Sequence, residues 1–63
     1  MKPIFISLTD TKGGETYYVN TGNILWMAPD KVSKGTNIMF AEKYGITVKE
    51  NAQEIVELIR TES

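Results

Sequence analysis

The stretch Ile46-Thr47-Val48-Lys49-Glu50-Asn51-Ala52-Gln53-Glu54-Ile55-Val56-Glu57-Leu58-Ile59-Arg60 changes its hydrophobic period part-way along. Residues 46–49 alternate apolar and polar, the period of a strand with one buried face. From Ile55 the apolar residues recur at Ile55, Leu58 and Ile59, the i, i+3, i+4 spacing of a helix, and Val56 widens the stripe. Asn51 stands at the change with Glu54 three residues on, a variant of the capping box. Glu57 and Arg60 fall on the wet side, and Arg60 suits the negative end of the helix dipole. This reading predicts a helix over about 52–61, with Thr61-Glu62-Ser63 frayed beyond its last firm turn. A helix this short needs tertiary packing to persist.

Upstream, the strand signals repeat. Ile4-Phe5-Ile6-Ser7-Leu8-Thr9 alternates, and Asp10-Thr11-Lys12-Gly13-Gly14 follows as a reversal into Glu15-Thr16-Tyr17-Tyr18-Val19. Asn20-Thr21-Gly22-Asn23 is a second turn cluster. A third strand runs Ile24-Leu25-Trp26-Met27-Ala28 and stops at Pro29, which cannot donate to a ladder. Asp30 to Gly35 is a polar loop. Thr36-Asn37-Ile38-Met39-Phe40-Ala41 is a fourth strand, and Glu42-Lys43-Tyr44-Gly45 turns it into the fifth, with Gly45 expected at the left-handed position. The expected strands are therefore about 4–9, 15–19, 24–28, 36–41 and 46–49. The close spacing of the turns favours an antiparallel arrangement. The fold class is α+β: a five-stranded antiparallel meander, open or curled into a small barrel, with one C-terminal amphipathic helix, all in one domain over 1–63.

The chain has 63 residues and neither cysteine nor histidine. Domains this small bury a modest share of their surface and often rely on a staple. Disulfides and thiolate metal sites are excluded by composition, as is the commonest zinc ligand. Self-association is the staple left open. The expectation is no cofactor and no metal. A net charge of −1 and scattered lysines give no basic footprint for nucleic acid. No apolar run approaches the ~20 residues of a membrane span. Met1-Lys2-Pro3-Ile4-Phe5 begins no secretory h-region, so the expected location is cytoplasmic.

The expected inner set is Ile4, Ile6, Leu8, Tyr17, Val19, Ile24, Trp26, Ile38, Phe40, Ile46 and Val48, docked on Ile55, Leu58 and Ile59. The same alternation leaves Phe5, Tyr18, Leu25, Met27 and Met39 on the other side. A cluster of that size marks an interaction surface or fills a closed barrel. A one-residue slip would exchange the faces of any strand. Tyr18 and Trp26 belong to residue types enriched at interface hot spots.

Catalysis would have to rest on carboxylates, Lys, Tyr or Ser/Thr. The acids fall in turns, at strand ends or on the wet helix face, so solvated carboxylates are the expected reading and no enzyme is predicted. Asp10 to Gly14 lacks the spacing of a phosphate loop and is not followed by a helix. The Asp30 loop lacks the spacing of a calcium loop.

One pattern spans nearly the whole chain: Ile6-Ser7-Leu8-Thr9, then Val19-Asn20, Ile24, Pro29, Gly45 and finally Val48-Lys49-Glu50-Asn51-Ala52-Gln53-Glu54-Ile55. It resembles the small flagellar and swarming-motility proteins of bacteria and related short proteins. The Asp30–Gly35 loop and the Glu42-Lys43-Tyr44 turn depart from that pattern. The resemblance implies a small non-enzymatic accessory or regulatory protein, and it carries over no catalytic residues.

The functional expectation is an interaction module contacting another protein or a second copy of itself through Phe5, Tyr18, Leu25, Met27 and Met39. The alternative is a nucleic-acid-binding or transcriptional regulatory domain. It would use a barrel-like surface and gather Lys12, Lys31, Lys34 and Lys43 into one basic patch.

Overall fold

The computed structural model describes residues 4–62. Met1–Pro3, part of the segment read for a leader, and Ser63 at the expected frayed end lie outside them. Five antiparallel strands form two sheets, followed by one helix, in an α+β fold. Strands β1 (Phe5–Thr9) and β2 (Thr16–Asn20) make a two-stranded sheet. Strands β3 (Ile24–Pro29), β4 (Thr36–Phe40) and β5 (Gly45–Val48) make a three-stranded one. Helix α1 runs Ala52–Glu62.

The sheets are separate because β2 and β3 do not pair, and no barrel closes. Between them Thr21–Asn23 forms a single 3-10 turn, with the Asn20 side chain accepting from the Gly22 N–H at 3.0 Å. Asx chemistry of this kind satisfies the backbone locally and turns the chain out of the sheet. What joins the sheets is the end of β1. Lys49 N–H donates to Thr9 C=O at 2.8 Å, and Asp10 bridges Val48. The Glu50 carboxylate accepts from both the N–H and the hydroxyl of Thr9, each at 2.9 Å.

The core is Ile6, Leu8, Val19, Ile38, Phe40, Val48 and Ile55. Helix α1 packs on β1 and β3 and sends Ile55 into this core, fully buried, with Leu58 and Ile59 at its rim. Its start is reciprocally capped. Glu54 N–H donates to Asn51 Oδ1 at 2.8 Å, and Asn51 N–H donates to Glu54 Oε1 at 3.0 Å. Thr61 and Glu62 continue the helix, and the Thr61 hydroxyl donates to the Glu57 carbonyl at 2.7 Å. Arg60 meets Glu57 at 3.4 Å, an exposed pair worth little to stability.

Three expectations need correction. First, Trp26 and Met27 exchange faces. Ile24 pairs with Phe40 but Trp26 with Met39, so Leu25 is an extra residue in β3, a β-bulge. Beyond the bulge Met27 lies opposite buried Ile38 and packs on the core, while Trp26 points outward. Second, the outer set is not one face, because Phe5 and Tyr18 belong to one sheet and Leu25 and Met39 to the other. Third, Gly45 is not left-handed. Lys43 takes that conformation (φ 68°), and Gly45 opens β5 where a Cβ would come within 2.9 Å of the Ile38 carbonyl oxygen.

The Asp30–Gly35 loop is organised by one carboxylate. Asp30 Oδ2 accepts from the Ser33 hydroxyl at 2.7 Å and from the Ser33 N–H at 3.0 Å, and Oδ1 accepts from Asn37 Nδ2 at 3.3 Å. The Ser33 hydroxyl and then the Ser33 N–H, with help from Asn37, hold the Asp30 carboxyl below its ordinary pKa of 3.8, against a smaller opposing effect of burial. A carboxyl that is more acidic folded than unfolded stabilises the fold at pH values above its ordinary pKa. That contribution is lost as the pH falls through the depressed folded value. Asp30→Asn should therefore flatten the acid limb of the stability curve. Titrating the carboxyl by NMR checks the premise; a midpoint at or above 3.8 would remove it.

Candidate functional site

Each turn leaves a different part of the surface bare. In the β1–β2 turn, Asp10 N–H donates to the Glu15 carbonyl at 2.8 Å, and Gly14 takes φ 71°. Counting back along the ladder, Leu8–Tyr17 and Ile6–Val19 exchange hydrogen bonds, and Thr9–Thr16, Ser7–Tyr18 and Phe5–Asn20 do not. The N–H and C=O of Thr16 and Tyr18, and the N–H of Asn20, therefore point to the free edge of β2. Among the described residues no backbone partner meets them.

That edge opens on a groove of about 330 Å³, lined by Phe5, Tyr17, Tyr18, Val19, Asn20, Asn23, Phe40, Tyr44 and Ile46. Four consecutive β2 residues line it, so it follows the strand's backbone rather than one face. Its opposite wall is set by the β4–β5 turn, where Phe40 N–H donates to the Tyr44 carbonyl at 2.8 Å and the two rings stack tilted at 5.0 Å. None of the lining side chains is charged. The Asp10 carboxylate, then burial, then Glu15 raise the Tyr17 phenol above its ordinary range. Tyr18 is 74% exposed and Phe5 54%, so this apolar rim is open to solvent.

No family model, curated protein or solved structure matches this chain. The site stands on its own geometry.

The second apolar region is the outer face of the three-stranded sheet. Trp26, Met39 and Gly45 face one another across β3, β4 and β5, and Leu25 projects at the bulge. Trp26 is 49% exposed and Leu25 64%. Gly45 bears no side chain, so the Met39 methyl lies over its backbone, 3.5 Å from where a Cβ would sit. The next row is polar: the Thr47 hydroxyl donates to Asn37 Oδ1 at 2.6 Å, and Asn37 continues to Asp30.

Of the sequence-derived interface residues, Phe5 and Tyr18 meet at the β2 groove. Leu25 and Met39 sit on the other sheet beside Trp26, and Met27 is withdrawn into the core's edge. Tyr44 and Ile46 were missed as groove residues. Only the folded position of the β4–β5 turn carries them opposite β2.

The other groupings are tied up locally. A hollow of about 470 Å³ beside the helix is lined by Glu50, Glu54 and Glu57 with Asn51, Gln53, Leu58 and Thr61. The Glu50 carboxylate accepts from Thr9, that of Glu54 from the Asn51 N–H, and that of Glu57 meets Arg60. Among the described residues no group of His, Cys, Asp or Glu is placed to hold a metal ion. Lys12, Lys31 with Lys34, and Lys43 stand on three different turns, and none lines the β2 groove. Among the described residues no helix is long and apolar enough to cross a membrane.

Proposed function

We propose that this chain is a non-enzymatic accessory or regulatory module of the cytoplasm that works through protein–protein contacts and associates with itself. The observation that carries this reading is the set of large side chains held outside the core on both sheets. Phe5 and Tyr18 stand out from the hairpin sheet, and Leu25 and Trp26 from the three-stranded sheet. A small domain without cysteine or histidine has few other ways to gain buried area. The resemblance to small motility-associated proteins points to the same non-catalytic class.

Sedimentation velocity over a wide concentration range tests it. The expected result is a mass that rises with concentration. A strict monomer throughout would refute self-association.

A further inference from the structure

We propose that two copies of this chain pair antiparallel along the free edge of β2, joining their hairpins into one four-stranded sheet. This rests on the self-associating reading above and names the surface that carries it.

The hydrogen-bonding groups decide the kind of occupant. The N–H and C=O of Thr16 and Tyr18, with the N–H of Asn20, are spaced to accept another extended backbone in place of water. The outer edges of β2 and β3 are not equivalent. Strand β3 carries a bulge at Leu25 and ends on Pro29, two devices that blunt an edge. Strand β2 is Thr-Tyr-Tyr-Val-Asn, with no charge, proline or bulge.

A second copy fits this edge better than a charged peptide, because the adjoining groove has no charged side chain to recognise one. Antiparallel self-pairing centred on Tyr18 is also complementary. It sets Thr16 opposite Asn20 of the other copy and Tyr17 opposite Val19, while the two Tyr18 rings meet on the outer face. No like charges oppose within the strand. The gain falls on the smaller sheet, whose second strand has no neighbour along its outer edge. Five residues at about 3.4 Å each give an edge of about 17 Å, so the dimer is reversible rather than obligate.

Amide exchange by NMR, alongside sedimentation, tests the pairing on the full chain. In dilute solution Tyr17 and Val19 N–H should be protected by β1, and Thr16, Tyr18 and Asn20 should exchange freely. Raising the concentration should protect those three as the mass doubles. Tyr18→Pro removes an outward donor without costing β1 a bond, and should hold the chain monomeric with the Tyr17 and Val19 protection retained. Should that variant fail to fold, Tyr18→Lys sets like charges together across the two-fold and should weaken the dimer at least tenfold. A dimer whose Thr16, Tyr18 and Asn20 amides stay unprotected, or which survives Tyr18→Lys unchanged, overturns the edge pairing and leaves self-association standing. A monomer at every concentration overturns both.

Discussion

Gly35→Ala is expected to unfold this domain. Gly35 is buried at the entry to β4, and its backbone is not left-handed, so conformational freedom is not what it supplies. It supplies space. A Cβ there would lie 1.8 Å from the Val48 carbonyl oxygen and 2.9 Å from its carbon. Ordinary non-bonded contacts sit near 3.5 Å. The obstacle is backbone, and it belongs to the strand paired with β4, because Thr36 registers with Val48. Relief requires β4 and β5 to part at the point where Thr36 is fully buried and its hydroxyl donates to the Glu50 carbonyl at 2.8 Å. Overpacking typically costs about 1–3 kcal/mol, and a backbone clash this close belongs at or beyond the top of that range. A chain of this length has only about 3–9 kcal/mol in total, at roughly 0.05–0.15 kcal/mol per residue. Circular dichroism with urea titration reads the result directly. A cooperative transition within a few tenths of a kcal/mol of the parent would show that the strands can yield.

Ile55→Ala is expected to release the helix. Ile55 is the helix residue that is fully buried, and α1 reaches both β1 and β3. Truncating a buried Ile to Ala costs about 2–5 kcal/mol through lost transfer free energy and the cavity left behind. In a domain this small about 1 kcal/mol moves Tm by roughly 4–8 °C, so a fall of at least about 8 °C follows. The helix is too short to persist undocked, so far-UV helical signal should fall with it. Val56→Ala is the matched control, on a side chain 45% exposed. It should stay within about 0.5 kcal/mol of the parent, and equal losses at the two positions would refute the packing described here.

How much of this was legible in the residues varies by element. The strands and the helix follow from period, and the Asn51–Glu54 cap forms the reciprocal bonds that its spacing implies. Period-two reading holds only while the ladder is regular. The extra residue at Leu25 is a property of pairing, so nothing in Ile24-Leu25-Trp26-Met27 marks it, and Trp26 and Met27 were assigned to each other's faces. The division into two sheets is likewise a property of Thr21–Asn23, whose composition suits a hairpin turn as well as a 3-10 turn. Glycine misleads in a similar way. Gly14 is needed for its φ, whereas Gly35 and Gly45 are needed for the close approach of a carbonyl. Sequence does not separate those uses. The β2 groove was half legible. Phe5 and Tyr18 were found by parity, but the free edge they flank depends on which neighbour β2 lacks.

The Thr9–Glu50 clamp bears on the order in which the chain folds. Its partners are 41 residues apart. Closing a loop of that length costs roughly 3 kcal/mol in chain entropy beyond a constant term, before any contact repays it. The β1–β2 hairpin is local and forms early, yet it is marginal until Lys49 and Glu50 arrive to hold it. On a ribosome the hairpin therefore emerges before the residues that secure it. Through that interval the hairpin is held by its own ladder alone, and the rate at which β5 docks on the end of β1 sets how long an incompletely packed hairpin is exposed to other nascent chains.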